Sequence, residues 1–170
     1  MERKNMITFK GNPLTLTGNE VKIGDMAPDF TVVDNDLKPV KLSDFRGKTV
    51  VISSVPSLDT PVCEIQTKKF NQEAGSTNAV ILTISMDLPF AQKRFCGAHS
   101  ISAVKVVSDY KDRDFANKFG LHIKELGLLS RAVIIIDKNG KIAYQEIVKE
   151  VTQEPNYKAA LDTVKSAVVV

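Results

Sequence analysis

The stretch Thr49-Val50-Val51-Ile52-Ser53-Ser54-Val55-Pro56-Ser57-Leu58-Asp59-Thr60-Pro61-Val62-Cys63 sets the terms for the rest of the chain. It opens on an apolar, β-branched run with the length and composition of a strand covered on both faces of a sheet. A loop follows, broken by Pro56. Thr60 is then a good N-cap, and Pro61 suits the first helical position, where its missing N–H had no intrahelical partner to lose. A helix is predicted over residues 62–74, with Cys63 in its first turn, near the third helical position.

That address has chemical consequences. First-turn N–H groups point outward without intrahelical partners, and the helix dipole favours an anion beside them. A thiolate is such an anion, and it is the thiolate, rather than the thiol, that acts as a nucleophile. The Thr60 hydroxyl lies three residues back on the same turn, placed to donate to the sulfur or to an oxygen bound there. A free cysteine is more often a small buried hydrophobe. The sequence strand, loop, capped helix shifts the reading of Cys63 towards function.

Outward from this stretch, apolar runs of buried-strand length recur at residues 79–85, 105–107 and 132–136. The last ends in Asp137-Lys138-Asn139-Gly140-Lys141, a strong hairpin turn, and Ile142-Ala143-Tyr144 returns beside it. A further strand is expected over 27–34 and a loop or single turn over 42–47. Helical segments alternate with the strands at 62–74, 89–98, 113–119 and 157–168. The last of these has apolar positions at Ala160, Leu161, Val164, Ala167 and Val168. At the N-terminus, residues 7–10 and 14–17 flank Gly11-Asn12-Pro13 and read as a β-hairpin. The order is βαβ units, then a hairpin, then a closing helix. It implies an α/β protein, one domain over 1–170, with a central mixed sheet flanked by helices. A thioredoxin-like fold is one solution of that order; periodicity does not single it out.

Composition narrows the function classes. The chain has 170 residues, 43% hydrophobic and 25% charged, which is ordinary for a globular protein. Its 23 basic and 20 acidic residues interleave, giving a net charge of +3 without a long basic run. Aromatic residues are scattered, so no stacking platform lies beside a charged rail, and nucleic-acid binding is not expected. No apolar h-region follows Met1-Glu2-Arg3-Lys4-Asn5-Met6, and no apolar run approaches the ~18 residues of a membrane span. A cytoplasmic protein with no membrane partner is expected.

There are two cysteines, Cys63 and Cys96. In a reducing compartment such a pair means core thiols, metal ligands or redox chemistry. A thioredoxin-type exchanger needs Cys-x-x-Cys, and Thr60 stands where its first cysteine belongs. A cysteine hydrolase needs a histidine base. His99 and His122 lie in no such signature and read as surface or loop residues. Cys96-x-x-His99 has ligand spacing, but Cys63 and His122 complete no zinc-finger pattern. On spacing alone, Cys96 reads equally well as a core thiol on an amphipathic helix, and Arg131 as a charge at a strand edge. A binding or chaperone module whose cysteines only sense oxidation also stays open. Turnover with a reductant separates it from an enzyme.

Pro56-x-x-x-Thr60-x-x-Cys63 matches the Pro-x-x-x-Thr-x-x-Cys signature of peroxiredoxins. The wider chain resembles the bacterial thiol peroxidase subfamily, an atypical two-cysteine type. The resemblance runs through the opening hairpin, Arg94-Phe95-Cys96-Gly97-Ala98, Leu128-Leu129-Ser130-Arg131-Ala132-Val133, Asn139-Gly140-Lys141 and Glu154-Pro155-Asn156-Tyr157, and so covers almost the whole chain. Ser100 departs from it, standing where many relatives have glycine.

The resemblance implies a thioredoxin-like fold and thiol-dependent reduction of hydrogen peroxide and alkyl hydroperoxides. By position, Cys63 resembles the peroxidatic cysteine and Cys96 the resolving cysteine of the same chain. Thr60 matches the threonine that contacts thiolate and peroxide, Pro56 the proline that shields the sulfur, and Arg131 the arginine that holds the thiolate and the departing oxygen. It also implies an intrachain Cys63–Cys96 disulfide, movement or fraying of the Cys96 helix on oxidation, thioredoxin as electron donor, a homodimer, and no cofactor or metal.

Overall fold

The computed structural model describes residues 1–74 and 77–169, with the side chains of 167–169 left out of the description. The β-branched runs form one sheet of seven strands in the order β11-β10-β5-β6-β7-β3-β4. Its centre is β5 (Val50–Ser54), β6 (Val80–Ser85) and β7 (Lys105–Ser108), paired in parallel. On one side of β5 lie the antiparallel β10 (Ala132–Ile136) and β11 (Ile142–Ile147). On the other side of the centre, the short β3 (Thr31–Val33) and β4 (Pro39–Lys41) run antiparallel beyond β7. This is the mixed sheet that the order of elements implied, and it gives the chain a thioredoxin-like fold.

Strand residues alternate between two packed faces, which explains why the runs are apolar throughout. Val50, Ile52, Leu82, Ile84, Ile134 and Ile136 share one face with Phe30, Phe115 and Phe119, the last two from α3 (Asp114–Phe119). Val51, Ile81, Val106, Val133 and Ile135 share the other with Phe70 of α1 (Pro61–Glu73) and with Ala160 and Val164 of α4 (Tyr157–Val169). Phe95 and Cys96, from α2 (Pro89–His99), pack against that second cluster. Burying each Val, Leu, Ile or Phe side chain among these contributes roughly 1.5–3 kcal/mol. The apolar positions expected at Ala167 and Val168 lie outside the described side chains.

The hairpin is longer than expected: β1 (Glu2–Phe9) pairs with β2 (Asn12–Thr17). Its turn is Lys10-Gly11 rather than residues 11–13. Both turn residues have positive φ (51° and 81°), as a two-residue loop that follows the twist of its strands requires. Pro13 is tolerated inside β2 because β8 pairs only with Leu16 and Thr17. Two strands of two residues, β8 (His122–Ile123) and β9 (Leu128–Leu129), complete a second, four-stranded sheet, β1-β2-β8-β9.

Local chemistry explains the remaining differences. The segment 27–34 is strand only over β3, and residues 42–45 form a 3-10 turn. Neither β4 nor the two-residue strands have an apolar run of their own to announce them. Ser100, where the resemblance leads one to expect glycine, ends α2 with φ 55° and ψ 41°. That left-handed conformation is the one glycine adopts without cost at a helix C-terminus.

Candidate active site

Helix α1 starts as the sequence predicts. Thr60 is the N-cap, Pro61 the first helical residue, and Cys63 the third. The inward stripe of this helix is Cys63, Gln66, Thr67 and Phe70, at the i, i+3, i+4, i+7 spacing of a buried face. Three of those four side chains are polar or reactive. A helix that packs on a core has no packing reason to bury Gln66 and Thr67, and their burial follows from the bonds they make. The Thr67 hydroxyl donates to the Cys63 carbonyl at 2.8 Å, and the Gln66 amide donates to Ser53 Oγ on β5 at 2.7 Å.

The sulfur of Cys63 is fully buried and accepts a hydrogen bond from Arg131 Nη2 at 3.2 Å. Arg131 sits just before β10, whose antiparallel pairing with β5 brings Ala132 opposite Ser54, at the strand end from which the Cys63 loop departs. The guanidinium is itself only 2% exposed. The reading of Arg131 as a surface charge at a strand edge is therefore wrong: the sheet order carries it into the interior. Its Nε donates to the Val151 carbonyl at 2.8 Å and its Nη1 to Gln66 Oε1 at 3.0 Å. A buried cation needs an anion or several dipoles around it. Of these three partners only the sulfur can become an anion.

The acceptor for Arg131 Nε comes from outside the main sheet. The Val151 N–H donates to the Thr8 carbonyl at 2.9 Å, and Thr8 N donates to the Lys149 carbonyl at 2.7 Å. Glu150 ties the same segment to the hairpin by accepting from Gly11 N at 2.9 Å and Thr8 Oγ1 at 3.0 Å. Bonds from the Thr152 hydroxyl and N–H, then from Gly11, hold its carboxyl at a pKa of about 2. The N-terminal hairpin thus supports the segment that supports Arg131.

Pro56 is buried at the start of the loop, and Leu58 packs in the same apolar cluster as Cys63. The Thr60 hydroxyl does not cap the helix through its side chain. It donates to the Ser57 carbonyl at 3.0 Å, which leaves its oxygen as an acceptor. The expected bond from this hydroxyl to the sulfur is therefore not its bond here.

Cys96 occupies a different setting. It is half-buried on α2 and, like Cys63, a free thiol. Burial pushes its pKa up, partly offset by a hydrogen bond from the Asn35 side chain. Its carbonyl accepts from both Ser100 N and Ile101 N, which close the C-terminal end of the helix. Beside it lies a shallow cavity of about 230 Å³, lined by Asn35, Asp36, Ile101 and Lys105 among others. Another cavity, of about 320 Å³, lies at the opposite end of the sheet, around Val50 and Ile136, away from both thiols.

The two histidines are not loop residues. His99 closes α2, with its Nδ1 3.5 Å from Glu64 on α1 and its ring stacked on Phe95. His122 lies in β8, with its Nδ1 2.9 Å from Thr17 Oγ1. Among the described residues, no three His, Cys, Asp or Glu side chains group as metal ligands. Among them, too, no helix is long and apolar enough to cross a membrane. Ser53, Ser57 and Val151 complete the site with Gln66 but carry no signature of their own. The one legible signal was Gln66 and Thr67 on the cysteine's face of α1.

Residues 22–161 match the Redoxin family model. The thiol peroxidase of Bacillus subtilis (strain 168) is 52% identical over 163 residues, covering 95% of this chain and 98% of that protein. The thiol peroxidase of Oceanobacillus iheyensis is 56% identical over 156 residues, covering 91% of this chain and 95% of its own. Among solved structures, the peroxiredoxin-like protein from Aquifex aeolicus superposes with a TM-score of 0.91 at 47% identity, covering 96% of this chain and 97% of the other.

Proposed function

The chain belongs to the Redoxin family as a peroxiredoxin-type thiol peroxidase, and on that premise we propose that Cys63 is the residue that attacks the peroxide and Cys96 the residue that resolves it. The observation that carries this reading is the bond from Arg131 Nη2 to Cys63 Sγ, 3.2 Å long and fully buried, at the third residue of α1.

In the first step the Cys63 thiolate attacks the terminal oxygen of a hydroperoxide. An S–O bond forms, the O–O bond breaks, and the departing alkoxide or hydroxide takes a proton to leave as alcohol or water. Sulfur is oxidised to the sulfenic acid and the peroxide is reduced. Negative charge moves from the sulfur to the leaving oxygen. Arg131 suits that transfer, because its planar fork spans two acceptors and its position is already set by Val151 and Gln66. Thr60, with its hydroxyl hydrogen committed to Ser57, offers its oxygen to the peroxide's O–H. Pro56 and Leu58 keep water from the sulfur.

In the second step the Cys96 thiolate attacks the Cys63 sulfur: an S–S bond forms, the S–O bond breaks, and the departing hydroxide takes a proton from solvent to leave as water. A disulfide requires Cα atoms within about 7 Å, and movement of α2 supplies that approach. A dithiol donor, thioredoxin in this reading, then reduces the disulfide, so no metal or cofactor takes part. A homodimeric, cytoplasmic protein acting on hydrogen peroxide and alkyl hydroperoxides completes the reading, on family membership alone.

The test exposes reduced protein to one equivalent of cumene hydroperoxide and follows intact mass and free thiols. Wild type should lose both thiols, Cys96→Ser should gain one oxygen atom, and Cys63→Ser should stay reduced. Survival of both wild-type thiols would sink the proposal. Turnover with thioredoxin, thioredoxin reductase and NADPH then tests the donor.

A further inference from the structure

Asp87 lies in the turn between β6 and α2, outside the motif that marks the Cys63 loop. Its carboxylate is nonetheless built into that loop. Oδ1 accepts from the Ser57 hydroxyl at 2.8 Å, and Oδ2 accepts from the Leu58 backbone N–H at 2.7 Å. Oδ2 also accepts from the Ser85 hydroxyl at 2.7 Å, at the end of β6. Ser57 in turn supplies the carbonyl that orients the Thr60 hydroxyl, at 3.0 Å. The chain of contacts runs Asp87, Ser57, Thr60, and ends at the N-cap of the helix bearing Cys63.

The same aspartate is linked to the other cysteine's helix through Ser85. Ser85 Oγ also accepts from Gln92 Nε2 at 3.0 Å, and Gln92, fully buried in the first turn of α2, donates to the Val107 carbonyl at 2.8 Å. The N-terminal end of α2 is thereby fastened to β6 and β7. Cys96 sits nearer the C-terminal end, beyond those bonds.

We infer that Asp87 is a positioning residue for the peroxide step: its carboxylate holds the 57–60 loop so that Thr60 presents its oxygen over Cys63, and it does so without taking part in resolution by Cys96. This rests on the proposed roles of the two cysteines. The physical basis is that an anionic acceptor binding two donors on adjacent residues constrains a loop far more than a neutral one. A displacement near 1 Å at a reacting group is also enough to slow it severely. Resolution needs α2 to move instead, and the bonds that hold Cys96 are not those of Asp87.

The experiment measures the two steps separately in Asp87→Ala, by rapid mixing with cumene hydroperoxide. Sulfenic acid formation is read in the Cys96→Ser background, and disulfide formation with Cys96 present. The rate constant of the first step should fall about tenfold, lowering the ratio of first to second step by a similar factor. A ratio within about twofold of wild type overturns the inference, whether neither step moved or both fell together as general damage would make them. If Asp87→Ala does not fold, Ser57→Ala removes one of the same bonds and is judged by the same ratio. Failure of wild type itself to form sulfenic acid would strike the assignment of the cysteines; a normal wild type with an unmoved variant ratio strikes only the role of Asp87.

Discussion

The two thiols occupy opposite kinds of surroundings: Cys63 lies fully buried against a held arginine, and Cys96 lies half-buried on a helix with few buried residues. Cys63 is fully buried at the start of a thirteen-residue helix, and its sulfur is bonded to an arginine held by two further acceptors. Each of those acceptors is anchored in a different part of the fold: Gln66 against β5, Val151 against the N-terminal hairpin. Cys96 is half-buried near the end of a shorter helix that buries only Pro89 and Gln92. That helix ends on a serine in a glycine conformation. It reaches α1 through the long His99–Glu64 contact of 3.5 Å. In the proposed peroxide step, the preorganisation around Cys63 lies where charge is stabilised. Under the proposed mechanism, the half-buried Cys96 lies on the element that has to move for a disulfide to form.

The contrast breaks most easily at Arg131. Arg131→Ala should slow oxidation of Cys63 by about 10²–10³, the range for removing one preorganised donor to developing charge. Arg131→Lys should recover little, since a point charge cannot hold Val151, Gln66 and the sulfur together. Stopped-flow rates of sulfenic acid formation check both, and an alanine variant within about threefold of wild type would remove the arginine from the mechanism.

The next effect concerns pH and tells whether α2 opens before or during resolution. Burial raises the pKa of Cys96. If the thiol reacts from its place on α2, the disulfide-forming rate climbs about tenfold per pH unit below that raised value. If α2 unwinds first, the thiol titrates as an exposed one, near ~8.5, and the profile levels off earlier. Rapid-mixing profiles from pH about 6 to 10 distinguish the two orders.

On the rigid side, Gln66→Leu keeps the shape of the side chain but removes both its bonds. Arg131 Nη1 and Ser53 Oγ lose a partner each in the interior, which should cost about 1–3 kcal/mol in urea unfolding. A midpoint equal to that of wild type would mean that the Arg131 cradle tolerates a missing acceptor.

The smallest expected effect lies farthest from the sulfur. The carboxyl of Glu150 is lowered from 4.5 to about 2 in the folded chain. A lowered carboxylate contributes stability above its unfolded pKa and loses it as the pH falls through its folded one. Glu150→Gln should therefore lower the melting temperature modestly at neutral pH, and the gap to wild type should close between about pH 4.5 and pH 2. A gap that stays constant over that range would show that charge is not what ties the hairpin to the 149–152 segment.

Much of this was legible in one dimension, for a common reason. Strand runs, the N-cap Thr60, Pro61 and the third-position Cys63 are local: they depend on residues a few positions apart, whose spacing either suits a helix or strand or does not. Several neighbouring residues over 10–13 suit a reversal, so the sequence locates the hairpin turn without singling out Lys10 and Gly11. Nothing local marks Ser100 as a left-handed helix end, a conformation that glycine adopts more readily.

What the chain determined by itself is therefore the set of elements, the helix-start position of Cys63 and, through resemblance, the family. Only the tertiary structure decided who meets whom. Antiparallel pairing of β10 with β5 carries Arg131 to a sulfur 68 residues away in sequence. A hairpin at the N-terminus holds the loop that holds that arginine, and Asp87 reaches back across 29 residues to the Leu58 amide. Such contacts are set by sheet order and by the burial of polar groups that must find partners once water is excluded. No local pattern records which partner they find.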